Sequence, residues 1–280
     1  MADKDTGIGF IGGGNMACAI IGGLLEAGHA PACISVADPE PGRRDAILSL
    51  HRDIAVTADN RAVADDAEVL VLAVKPQVLP AVCADLGQRP DSQLVISIAA
   101  GVRLSTLTTL LGEQTAIVRI MPNQPALVGA GMSVLTGAGT VTAAQRQTAQ
   151  YLAAAVGETG WVDDESLIDA VTAISGSGPA YFYLLMEILE RTAIHMGIPE
   201  DLAGRLARQT GYGAGLTAVR SADSLDALRA SVTSPGGTTA AAIESLEAAD
   251  IRAIFHAALE AARNRSVELG NTDASAATDH

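Results

Sequence analysis

Residues 7–17 read Gly-Ile-Gly-Phe-Ile-Gly-Gly-Gly-Asn-Met-Ala, so the pattern Gly12-x-Gly14-x-x-Ala17 follows directly on a short apolar run. The chemistry this spacing suits is the holding of a pyrophosphate. Gly12 permits a tight turn, Gly14 lets backbone approach the phosphates, and Ala17 lets the following helix pack closely on the strand. The helix start then offers free N–H groups and a partial positive charge to the anion. Taken alone, the spacing also describes an ordinary glycine-rich strand-to-helix turn. Its place after the first strand, at the head of an apolar helix and inside a strand-helix-strand unit favours a dinucleotide. The next strand ends at Asp38, whose carboxylate suits the ribose hydroxyls of NADH and would repel a 2′-phosphate. Arg43 and Arg44 follow closely and suit the opposite choice, so the spacing leaves NADH and NADPH both open.

Two further strand ends carry small residues, Ala73-Val74-Lys75-Pro76 and Ala99-Ala100-Gly101, where a cofactor's sugar and ring need room. The chain has only two lysines, Lys4 and Lys75, and Lys75 reads as a cofactor contact rather than a general acid. A second anion-type segment lies far along the chain, Val232-Thr-Ser-Pro-Gly-Gly-Thr-Thr239 at the head of a helix. Its backbone N–H groups and hydroxyls suit a small carboxylate, and equally a Ser/Thr helix cap on a glycine loop. Ser175-Gly176-Ser177-Gly178-Pro179 reads in the same two ways, as a ligand-facing turn or as a helix break with Pro179 in the next first turn.

The elements that must position these residues form two blocks. Apolar runs over 8–11, 34–37, 69–74, 94–98 and 117–121 read as strands, separated by helical patterns over 16–27, 42–50, 77–86 and 104–111. Strand and helix alternate and the strands are apolar throughout, which predicts a doubly wound, mostly parallel Rossmann-type α/β sheet covered on both faces. A helix over 143–156 and a short strand over 160–162 close the expected dinucleotide-binding domain, 1–162. Helical patterns at 165–174, 180–196, 201–219, 225–231 and 239–269 then predict an all-helical domain over 163–270, with a small, polar, disordered tail at 271–280.

Composition bounds the function. Hydrophobic residues make up 49% of 280, enough for an enzyme-sized core, and the net charge of -14 leaves no basic field for nucleic acid or anionic lipid. The apolar, uncharged run between Asp169 and Glu187 is broken by Gly176, Gly178 and Pro179 and reads as a buried or oligomer-facing helix rather than a membrane span. Cys18, Cys33 and Cys83 are odd in number and lack Cys-x-x-Cys spacing, so reduced thiols are expected. The charged start Met-Ala-Asp-Lys-Asp lacks an apolar leader, which places the expected protein in the cytoplasm. The histidines are scattered without ligand spacing, and no metal site is expected.

With these residues in place, the chain resembles the pyrroline-5-carboxylate reductase family. The resemblance is carried by Gly9-Phe-Ile-Gly-Gly-Gly-Asn-Met-Ala17, Ala73-Val-Lys-Pro76, Arg119-Ile-Met-Pro-Asn123, Ser175-Gly-Ser-Gly-Pro-Ala-Tyr181 and Val232-Thr-Ser-Pro-Gly-Gly-Thr-Thr239, in that order over almost the whole chain. It implies an oxidoreductase of proline biosynthesis that transfers hydride from NADPH or NADH to C5 of the 1-pyrroline-5-carboxylate ring. The resemblance places Phe10, Ile11, Gly12, Gly13, Gly14, Asn15, Met16, Asp38, Asn60, Ala73, Val74, Lys75, Pro76, Ala99, Ala100 and Gly101 around the cofactor, with Asn60 toward the adenosine half. On the substrate side it places Glu165, Ser175, Gly176, Val232, Ser234, Gly236, Gly237, Thr238 and Thr239. The carboxylate is held by the backbone of Gly236 and Gly237 and by the Thr239 hydroxyl, and Thr239 and Ser234 are the catalytic candidates. It also implies a homodimer formed through the helical domain, often assembled further, with a substrate pocket drawing on two subunits. Several relatives that use NADPH carry a Ser-Arg or Asn-Arg pair where this chain has Asp38-Pro39. The rival enzyme, a β-hydroxyacid dehydrogenase or another cyclic-imine reductase, shares the glycine turn. The hydroxyacid type needs a lysine on a second-domain helix, and none lies there. The remaining rival, a dinucleotide sensor without catalysis, has no use for the 232–239 segment.

Overall fold

The computed structural model describes residues 4–276, with side chains described as far as Asn271. The chain forms two compact units, one comprising residues up to Gly176 together with those from Ala262 on, the other Ser177–Ala261.

In the first unit eight described strands make one sheet: β1 Ile8–Ile11, β2 Ile34–Ala37, β3 Ala55–Thr57, β4 Val69–Leu72, β5 Leu94–Ser97, β6 Ala116–Met121, β7 Gly131–Gly137 and β8 Gly157–Trp161. Their order is β3-β2-β1-β4-β5-β6-β7-β8. Every neighbouring pair is parallel except β6 with β7, whose register sets Ile120 against Leu135. The strand order runs outward from β1 to β3 on one side and from β4 onward on the other, and that switch point between β1 and β4 opens a crevice at the carboxyl edge of the sheet.

Alternation along the strands divides the core between two faces. Phe10, Val36, Val71 and Ile96 pack with Ile20 and Leu24 of α1 (Asn15–Glu26), Ile47 of α2 (Pro41–Leu50) and Leu152 of α6 (Ala143–Ala154). On the other face Ile11, Leu70, Leu72 and Val95 meet Val63 of α3 (Asn60–Asp66), Cys83 of α4 (Leu79–Leu86) and Leu107 of α5 (Leu104–Leu111). Each fully buried large apolar side chain, such as Phe10, contributes roughly 1.5–3 kcal/mol relative to exposure.

The first unit extends past the expected boundary near residue 163. It includes α7 (Leu167–Val171) and the wide π-turn Thr172–Gly176. The reason is polar as well as apolar: Ile168 is fully buried, and Asp169 accepts the Ser266 hydroxyl at 2.7 Å and faces Arg103 at 3.6 Å.

The second unit contains α8 (Gly178–His195), α9 (Glu200–Arg220), α10 (Leu225–Ser231), α11 (Thr238–Ala248) and the first part of α12 (Ile251–Ala276). The helix expected over 239–269 is broken at Asp250, whose φ of 56° lies in the left-handed region. At its far end α12 runs on to Ala276, into the segment expected to be disordered from 271; residues 277–280 of that expectation lie outside the described residues. Within this unit α8 packs on α9, while Phe182, Tyr183, Leu184, Ile188, Leu189, Tyr212 and Val219 stay exposed. Among the described residues no helix is long and apolar enough to cross a membrane.

Candidate functional site: the carboxyl edge of the sheet

Gly12 leaves β1 with φ 100°, and a Cβ there would stand 2.8 Å from the Ala73 carbonyl oxygen. Glycine is needed on both counts, the backbone angle and the close approach to the strand end beside it. Gly14, the N-cap of α1, is the complement: a Cβ on it would meet nothing within 4 Å, and no described side chain caps the helix. The N–H groups of the first turn therefore face open space, as a phosphate requires. A dinucleotide fits this cradle, which is closed behind Gly12 and open before Gly14.

A cleft of about 490 Å³ continues from it, lined by Gly14, Asn15, Met16, Ala73, Val74, Lys75, Ile98, Ala100, Met121, Pro122, Asn123, Gln124, Leu127 and Gly176. The ends of β1, β4, β5 and β6 thus converge on one space. A hollow of about 560 Å³ lined by Gln88, Thr108, Gly112 and Thr115 lies instead before β5 and β6, at the amino edge, away from the glycine turn.

The remaining expected cofactor residues do not line the cleft directly. Phe10 and Ile11 are buried strand residues that support the turn from within the core. Asp38 sits beside the turn: its Oδ2 accepts the Gly13 N–H at 2.8 Å and its Oδ1 the Glu40 N–H at 2.8 Å. Arg43 donates to Asn15 Oδ1 at 3.0 Å, whereas Arg44 donates to the carbonyls of Asp38 and Pro39 at 2.6 and 2.9 Å. Asn60 is the first residue of α3, capped by Asp59, and does not line the cleft. Pro76 begins the turn after Lys75, Ala99 is buried behind Ala100, and Gly101 takes φ 82°.

On the substrate side, Gly176 lines the cleft while Ser175 offers its carbonyl to Asn123 Nδ2 at 3.0 Å. The Ser175 hydroxyl donates back to Val171 O at 3.1 Å, joining the π-turn to the end of α7. Glu165 Oε1 accepts both the Leu104 N–H and Arg119 Nη1 at 2.8 Å, tying β6 to the head of α5. Arg119 is almost wholly buried, so Glu165 supplies the counter-charge that its burial demands.

The 232–239 segment lies in the second unit. The Gly237 N–H donates to the Ser234 carbonyl at 3.0 Å, Gly236 takes φ 69°, and a Cβ on Gly237 would stand 2.6 Å from Ser234 Oγ. Gly237 is the N-cap of α11, and no described side chain caps the helix. The Ser/Thr cap that the sequence allowed is thus not what forms. Thr238 and Thr239 begin the helix, and Val232 is exposed just ahead of the turn.

Met121, Pro122, Asn123, Gln124 and Leu127 were not among the expected contacts. Met121 ends β6 and the others follow it, at the same carboxyl edge as the loops after β1, β4 and β5, and that rule alone would have found them.

Burial pushes the Cys83 thiol up to about 12, and it raises Cys18 against the lowering influence of Arg43. All three cysteines are unpaired. Among the described residues no group of His, Cys, Asp or Glu is arranged to hold a metal.

Comparison with known proteins agrees along the chain. Residues 165–269 match the family profile described as pyrroline-5-carboxylate reductase dimerisation, and residues 7–101 match that of NADP oxidoreductase, coenzyme F420-dependent. The chain is 46% identical over 264 residues to the pyrroline-5-carboxylate reductase of Pseudomonas aeruginosa, covering 94% of this chain and 96% of that protein. A solved pyrroline-5-carboxylate reductase from Coxiella burnetii superposes with a TM-score of 0.89 at 41% identity, over 95% of this chain and 98% of that one. The Plasmodium falciparum pyrroline carboxylate reductase, solved with NADP bound, gives 0.83 at 28% identity, over 96% and 100%. The chain belongs to the pyrroline-5-carboxylate reductase family.

Proposed function

We propose that the protein reduces 1-pyrroline-5-carboxylate to L-proline with NADPH or NADH, as the last step of proline biosynthesis. The observation that carries this reading is the presence, in one family member, of two uncapped helix starts built on glycine, α1 behind Gly12 and α11 behind Gly236. One suits a pyrophosphate and the other a small carboxylate.

Bound in the carboxyl-edge cleft, the reduced nicotinamide supplies a hydride equivalent to the ring imine. The chain's own residues bind and align. The N–H groups at the head of α1 hold the pyrophosphate, and Gly12 brings the turn against Ala73. Ala73, Val74, Ala100, Met121 and Pro122 form a cleft wall poor in charge, with Lys75 exposed at its rim. Asn123 fixes the π-turn that carries Gly176. The backbone of Gly236 and Gly237 and the hydroxyls of Ser234 and Thr239 hold the substrate carboxylate, with Val232 and Thr238 flanking them. A protonated imine is already an activated acceptor, so orientation in a water-poor cleft provides most of what the reaction needs, and no acid-base dyad is required.

The sheet-bearing first unit holds the dinucleotide, and residues 163–270, whose helices α8 to α11 belong to the second unit, are the part through which two copies associate. The exposed apolar side chains of α8 and α9 support that assembly, because a monomer would leave them in water. The assembled protein is assigned to the cytoplasm. Purified protein mixed with 1-pyrroline-5-carboxylate should oxidise a reduced nicotinamide cofactor and form L-proline; a folded protein that oxidises neither NADH nor NADPH would contradict the reading.

A further inference from the structure

Resting on the dinucleotide reading, we infer that this chain selects NADH over NADPH and that Asp38 is the residue that makes the choice. The carboxylate is held in place by backbone at both oxygens, with Gly13 N–H on Oδ2 and Glu40 N–H on Oδ1, each at 2.8 Å. Its own N–H donates to Thr57 O at 3.0 Å, so the residue is tied to β3 as well. One of these anchors belongs to the glycine turn itself. The anion is therefore fixed beside the place where the pyrophosphate enters, at the end of β2.

A carboxylate oxygen that has accepted one hydrogen bond keeps a second lone-pair direction, and two vicinal ribose hydroxyls are the donors that match. A 2′-phosphate offers no donor in its ionised form and brings additional negative charge against an anion that cannot swing away. Both neighbouring arginines are already engaged. Arg44 spends Nη1 on the carbonyls of Asp38 and Pro39, which folds the turn around the carboxylate. Arg43 is engaged by Asn15 Oδ1 at 3.0 Å and by Glu40 at 3.7 Å. Two carboxylates, Asp38 and Glu40, stand in the same turn as the two guanidiniums, so the formal charges at this end of β2 balance before any phosphate ester arrives. A 2′-phosphate drawn to Arg43 would still have to lie beside the carboxylates of Glu40 and Asp38.

The test is equilibrium binding rather than turnover. The full-length protein is titrated by calorimetry with NADH and with NADPH, and with adenosine 5′-monophosphate against adenosine 2′,5′-bisphosphate to isolate the adenosine half. The expected result is NADH binding at least ~10-fold tighter than NADPH, with the same order for the two fragments. In Asp38→Asn the gap should close, chiefly through tighter NADPH. NADPH binding equal to or tighter than NADH in the unaltered protein would overturn the inference while leaving the reductase reading intact, as would an unchanged ratio in a folded Asp38→Asn protein. Absence of binding by either cofactor would overturn both. Should Asp38→Asn fail to fold, the fragment comparison on the unaltered protein decides by itself.

Discussion

Asn123 Nδ2 donates to the Ser175 carbonyl at 3.0 Å, joining the end of β6 to a π-turn 52 residues later in the chain. The same amide uses its Oδ1 to accept the Met132 N–H at 2.9 Å, at the start of β7. One planar group thus satisfies backbone from two directions and sets Gly176 against Met121 on the cleft wall, where a Cβ on Gly176 would stand 2.7 Å from Met121 Cε.

Asn123→Asp keeps the acceptor and loses the donor, and it turns a carboxylate oxygen toward the Ser175 carbonyl. The expected cost is about 1–3 kcal/mol in urea unfolding, together with a fall in turnover larger than any change in cofactor affinity. A variant with unaltered stability and turnover would show that the bridge does not hold the π-turn.

Gly12 and Gly14 should fail in opposite ways. Gly12→Ala meets both a φ of 100° and the Ala73 carbonyl, so it should lower the melting temperature by the equivalent of about 1–3 kcal/mol. Gly14→Ala has φ -71° and open space around the new methyl, so the protein should melt like the parent and yet bind NADH about 10-fold or more weakly, because that methyl occupies the approach of the phosphates. Calorimetric titration beside a thermal melt separates the two. Undiminished binding by Gly14→Ala would place the pyrophosphate elsewhere.

Much of this was legible beforehand, and what was not has physical reasons. The five long apolar strands and the helices between them follow from period and turn residues, and so does the glycine turn. β3 is three residues long and α3 is seven with three charges, too short and too polar to register as periodic elements. β7 carries Gly131, Ser133, Thr136 and Gly137, and its antiparallel pairing with β6 turns on tertiary packing rather than on local pattern. The break at Asp250 has no glycine to announce it. At the site, Asn123 escaped because its partners are separated from it by 52 and 9 residues, a relation that local spacing does not contain. Residues 232–239 allowed a capped helix or an anion seat, and the backbone, with Gly237 as N-cap, shows that no described side chain caps the helix.

Thr239→Ala tests that seat. The hydroxyl stands one residue into α11, where it adds a donor to the free N–H groups of the first turn. Its loss should raise KM for 1-pyrroline-5-carboxylate about 10-fold, as expected for one hydrogen bond to a charged group, with the dissociation constant for NADH unchanged. Equal weakening of both would mean that the carboxylate binds elsewhere.

Alkaline stability should follow Cys83. Burial pushes its thiol up to about 12, whereas a thiol in the unfolded chain titrates near ~8.5. The folded chain therefore keeps the proton that the unfolded chain releases, and this group leaves stability intact below pH ~8.5 and erodes it from there toward the folded value. Cys83→Ala, measured by urea unfolding across that range, should show a shallower decline with pH than the parent whatever its stability at neutral pH. An identical slope would remove Cys83 from the account.

The most direct test of the central claim follows the transferred atom. The protein is supplied with 1-pyrroline-5-carboxylate and NADH carrying deuterium at both C4 positions of the nicotinamide, and the product is examined by nuclear magnetic resonance. The expected product is L-proline with one deuterium at C5, in amount equal to the cofactor oxidised. Proline lacking that deuterium, or cofactor oxidised without proline, would contradict it.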